Sequence, residues 1–176
     1  MTEDCECRKK PVPSKCWPND PDYLDGKTEI ELPSERFTKA FWDADILDLD
    51  DKNKQDTILG TRELFKVRFR VELHGRLWKC MTGDWYFDVG FTPIGREGSF
   101  YLSSLLPPDS FVVKGWRGCD TLCIERTVEV PPGTIQIQGD VEVFEVAAQF
   151  DLRCCSGHIA IAGYEALEEY EFFKGA

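Results

Sequence analysis

Histidine is scarce in this chain of 176 residues, with only His74 and His158. That leaves no histidine pair to complete a zinc site built on cysteine knuckles. Cations are also in deficit: 21 Lys and Arg stand against 32 Asp and Glu, for a net charge of −11 and a pI near 4.7. A phosphate backbone requires a cationic surplus, so nucleic acid is excluded as the main partner. Attachment to anionic lipid by charge alone is excluded for the same reason. No apolar run reaches about 18 residues, so no transmembrane segment is expected. The opening MTEDCECRKK lacks the apolar centre of a secretory signal, which points to the cytoplasm. Catalytic signatures are missing as well: there is no G-x-S-x-G, H-E-x-x-H, P-loop or G-x-G-x-x-G. Cys155 and His158 sit close in sequence, but no third group can be named to orient them, and an enzyme is not expected.

What remains is a protein of ordinary apolar content, 42%, and of a length suited to one domain. Period-two alternation dominates from Phe65 onward. Phe65, Val67, Phe69, Val71 and Leu73 alternate with charged residues, as do Trp85, Phe87, Val89 and Phe91 with polar ones. The longest such series is Phe144, Val146, Ala148, Phe150 and Leu152 against Glu145, Ala147, Gln149, Asp151 and Arg153. Each reads as a half-buried strand. Turn signals between them predict an all-β, antiparallel sandwich of about seven or eight strands. Ala166, Leu167, Tyr170 and Phe173 fit a helical face, and a strand over Leu167–Phe173 fits nearly as well.

Residues 1–34 are different. They hold Cys5, Cys7 and Cys16, with Pro11, Pro13, Pro18, Pro21 and Pro33, and too little apolar material for a core. The expected organisation is this irregular arm followed by a sandwich over 35–176. The arm's thiols are open to three readings: incidental, zinc-binding, or cross-linked to the body or a second subunit.

Two charged features stand out. Six carboxylates fall between Asp43 and Asp56, and crowding of this kind suits a hard cation such as calcium. The segment FWDADILDLDDKNKQDTILG, residues 41–60, resembles the calcium-binding loop of C2 domains. The resemblance implies Asp43 and Asp45 as a D-x-D pair, Asp51 or Asp56 as a further ligand, and Gly60 as the closing glycine. Opposite in sign, Lys66, Arg68 and Arg70 project from one face of a strand. A solvated face is the plain reading, with partners such as Glu142 or Glu145; an anionic partner is the sharper one. Trp116, flanked by glycines, is read either as a lid on the core or as an anchor in a partner's pocket.

Taken together, these features predict a non-enzymatic interaction module. It would self-associate, or bind another protein, through Cys5, Cys7, Cys16, Lys66, Arg68, Arg70 and Trp116. The alternative is a calcium-dependent module recognising membrane or carbohydrate through Asp43, Asp45, Asp51 and Asp56.

Overall fold

Strict alternation turns one side of each long strand into core and the other into surface. The computed structural model, which describes residues 16–17, 27–30, 38–48, 57–154 and 159–175, shows two such sheets packed together. In chain order the strands are β1 (Lys27–Ile30), β2 (Thr38–Asp48), β3 (Ile58–Gly60), β4 (Phe65–Gly75), β5 (Thr82–Pro93), β6 (Phe100–Tyr101), β7 (Val112–Arg117), β8 (Cys123–Val130), β9 (Val141–Arg153) and β10 (Ile159–Phe173). The larger sheet runs β1-β10-β9-β5-β6, with β3 sharing an edge of β10 and β7 sharing an edge of β5. The smaller sheet is β2-β4-β8. The fold is a β-sandwich, antiparallel apart from the short parallel pairing of β3 with β10.

Aromatic side chains join the two sheets. Trp42 meets Phe150 edge-on at 4.7 Å, Phe69 stacks on Phe87 at 5.0 Å, and Phe65 reaches Phe172 at 5.9 Å. Such rings combine large buried area with a preferred mutual geometry. The core tolerates no side chain at Gly163, where a Cβ would come within 2.2 Å of the Phe150 ring.

Several local expectations are corrected. The acidic segment at Asp43 and Asp45 is strand β2, not a loop: Trp42, Ala44 and Ile46 turn inward and the carboxylates alternate outward. Leu77–Cys80, which reads as extended in the sequence, forms a 3-10 turn, and Ile135, which reads as part of a strand after the Pro131-Pro132-Gly133 turn, is buried from within an irregular connection. Residues 167–173 belong to β10, whose register shift between Ala166 and Glu169 breaks the alternation and leaves Leu167 leaning on the core. Within residues 1–34, Lys27–Ile30 is a regular strand paired with β10.

Polar residues close the open sides of the sandwich. Glu165 of β10 accepts a hydrogen bond from the Ala44 N–H of β2 at 3.1 Å. Arg126, which falls on the apolar side of β8, donates to the backbone carbonyls of Ser110 and Asp109. Arg96, between β5 and β6, holds Glu142, whose pKa is lowered by that hydrogen bond. No described helix is long and apolar enough to cross a membrane.

Candidate functional site

The two sheets present two outer faces, and they are built in opposite ways. On the smaller sheet the cross-strand register pairs Asp43 with Arg70 and Asp45 with Arg68. Arg70 donates through Nε and Nη2 to the two Asp43 oxygens at 3.1 and 2.6 Å. Its Nη2 also lies 3.4 Å from Asp45, and Arg68 donates to Asp45 at 2.7 Å. Lys66 approaches Glu129 at 3.6 Å. The cationic stripe and the D-x-D carboxylates are therefore partners within one chain.

The part of this face around Arg70 is covered. Cys16 is disulfide-bonded to Cys123 at the start of β8. The Cys16 N–H points to Glu72 at 3.4 Å, Trp17 Nε1 donates to Glu125 at 3.1 Å, and the Arg70 guanidinium lies 5.3 Å from the Trp17 ring centroid. Asp43, Arg70 and Glu72 are buried. Removal from water pushes the Asp43 carboxyl up to about 6, against the pull of its hydrogen bond to Arg70. Among the described residues no group of three or more His, Cys, Asp or Glu is placed to hold a metal ion. Asp51, Asp56, Cys5, Cys7, Cys155 and His158 lie outside the described residues.

Trp116, read either as a lid on the core or as an anchor at an interface, is buried against Trp85 at 5.3 Å and donates to the Thr121 carbonyl. Cys119 is a free, exposed thiol and Cys154 a free, half-buried one.

The larger sheet carries an open cleft of about 740 Å³ on its outer face. The register sets its floor in two rows: Tyr86 beside Asp151 beside Ala162, then Asp88 beside Gln149 beside Tyr164. One wall is the segment joining β6 to β7, which contributes Ser103, Pro108 and Asp109, together with Lys114 of β7. The polar groups are fixed before any ligand arrives. Arg153 lies over the Tyr86 ring, 4.1 Å from its centroid, and donates to both Asp151 oxygens at 2.7 and 3.1 Å. Those hydrogen bonds raise the Arg153 pKa, so its guanidinium stays charged. Asp88 accepts from the Ser103 hydroxyl and from the N–H groups of Ser103 and Val89. Tyr164 remains 55% exposed, leaving its ring free for contact.

The alternation of β9 puts Gln149, Asp151 and Arg153 on its outward side, which alone gives them no role. A signal was present. Tyr86, Gly90, Ala147, Ala162, Tyr164 and Ala166 also occupy outward positions, and a merely solvated face would carry long charged side chains there.

No protein-family model matches the chain, and no curated protein does. Among solved structures, a Niemann-Pick type C2 protein from Japanese carpenter ant is similar with a TM-score of 0.41 and 12% identity, over 84% of this chain and 99% of that one. A likeness that distant transfers nothing from that protein to this chain.

Proposed function

We propose that the chain is a non-catalytic binding module that takes a carbohydrate in the outer-face cleft of its larger sheet. The observation that carries this reading is the pair of rows Tyr86–Asp151 and Asp88–Gln149–Tyr164, with Arg153 locked over Tyr86. A sugar ring has an apolar C–H face and a rim of hydroxyls that both donate and accept. The exposed Tyr164 ring matches the face. Carboxylate, carboxamide and guanidinium groups match adjacent hydroxyls, because each presents two polar atoms in one plane. The volume lies within the usual range for small-molecule sites. Mutual hydrogen bonds hold these groups still, which lowers the ordering penalty on binding.

Self-association has less support from the geometry. Cys16, Arg68 and Arg70 spend their thiol and charge on partners within the chain. The Cys16–Cys123 bond supports work in an oxidising environment, opposite to the cytoplasmic expectation.

The test is calorimetric titration of the oxidised full chain with neutral disaccharides. Binding is expected at a Kd of roughly 0.1–10 mM, as for a small open site. Tyr86→Ala and Asp88→Ala should each weaken it at least tenfold while leaving the fold intact by circular dichroism. Failure of every disaccharide to bind, or indifference of binding to both substitutions, would overturn the proposal.

A further inference from the structure

The cleft does not end at Tyr164. A second depression of about 540 Å³ begins where the first stops, and the two share Gln149 and Tyr164 in their linings. Its floor is the next row of the register, Gly90 beside Ala147 beside Ala166, followed by Thr92, Glu145 and Glu169. Small residues make this row a trough between taller neighbours. Tyr101, paired with Gly90 and 50% exposed, forms its far wall. A Cβ at residue 90 would come within 3.1 Å of the Tyr101 ring, so glycine lets that ring lie close to the sheet.

Resting on the carbohydrate reading, we infer that the two depressions form one groove for a linear, neutral oligosaccharide, with Tyr164 between its subsites. Length supports a chain rather than a single ring. From Asp151 to Glu145 the groove follows six residues of β9, about 20 Å at strand rise, or about four sugar units. Charge selects the class. The second depression is edged by Glu145 and Glu169, and in the first Arg153 is paired with Asp151 and Lys114 with Asp109. No unpaired cation lines the described groove to receive a uronate or sulfate, so neutral units are favoured over acidic ones.

The experiment titrates the full, oxidised chain with cello-, xylo-, malto- and chito-oligosaccharides of two to six units. For the series that binds, affinity should rise at least tenfold between two and four units and then level off. Tyr101→Ala should remove that gain and leave disaccharide affinity unchanged. Ala147→Leu, which fills the trough, should do the same, and melting temperature confirms that both variants fold. Disaccharide binding with no gain on lengthening would overturn the extended groove and leave the single-cleft reading standing. Silence from every neutral series would overturn both. Tighter binding of oligogalacturonate than of any neutral series would overturn the charge argument and the inference with it.

Discussion

The outer faces of the two sheets follow the same alternating pattern and come to opposite ends. On the smaller sheet, Asp43, Asp45, Arg68 and Arg70 pair across β2 and β4, and Trp17 lies over Arg70 beside the Cys16–Cys123 cross-link. On the larger sheet, Asp88, Asp151 and Arg153 are just as well held, yet a cleft stands open above them. An outward charge thus becomes structural where the chain folds back over it, and remains available for recognition where it does not. Position on a strand decides only which way a side chain points.

The largest expected effect tests the cover over the first face. Replacing Cys16 and Cys123 together with serine releases a closure of 107 residues. Chain-entropy reasoning puts the loss at about 4–5 kcal/mol. Denaturant unfolding should show it, and reductant should produce the same loss in the parent but none in the double variant.

Next comes the contrast between the two faces' arginines. Arg70→Ala strands the buried Asp43 carboxylate and should lower stability by about 3–5 kcal/mol. Arg153→Ala removes a half-exposed pair and should change stability by less than about 1 kcal/mol. Equal losses in urea titrations would erase the distinction between the faces.

A third test uses pH. Because the folded Asp43 pKa is raised to about 6, the native state binds this proton more tightly than the unfolded chain. Its contribution is therefore fully present below about pH 4 and is lost as pH rises through 6, by about 2–3 kcal/mol in all. Asp43→Asn should abolish that portion of the pH dependence, seen as a smaller change in unfolding midpoint between pH 4 and 7.

The smallest effect on stability belongs to the open face. Tyr164→Ala should stay within about 0.5 kcal/mol of the parent, because an exposed ring stabilises little. The same change should weaken both disaccharide and longer-chain binding by calorimetric titration.

Much of this fold was legible in the sequence. Strands β4, β5 and β9 alternate cleanly, and each inward residue named from the pattern packs in the core. Strand β2 alternates as well, but its density of carboxylates drew the reading toward a cation-binding loop. The arginines that neutralise Asp43 and Asp45 lie 23 to 27 residues further along, and only the register brings them opposite. Strand β10 was ambiguous because its irregularity near Leu167 disrupts the period at the point where the choice had to be made. The cleft was the least visible feature. Its rows combine residues of β5, β9 and β10, and no single strand contains the pattern of tyrosines, small residues and planar polar groups that defines it.

The cross-link also has a mechanical consequence. If the chain is pulled at its two ends, the residues between Cys16 and Cys123 lie outside the path of the load. About 350–390 Å of possible extension is thereby withheld, given the reach of an extended chain. The tension falls instead on the chain beyond Cys123, which runs through β8 of the smaller sheet and then β9 and β10 of the larger. Tyr164 rides on β10. A bond that fastens one face of the sandwich thus leaves the strand that carries the groove inside the path of the load.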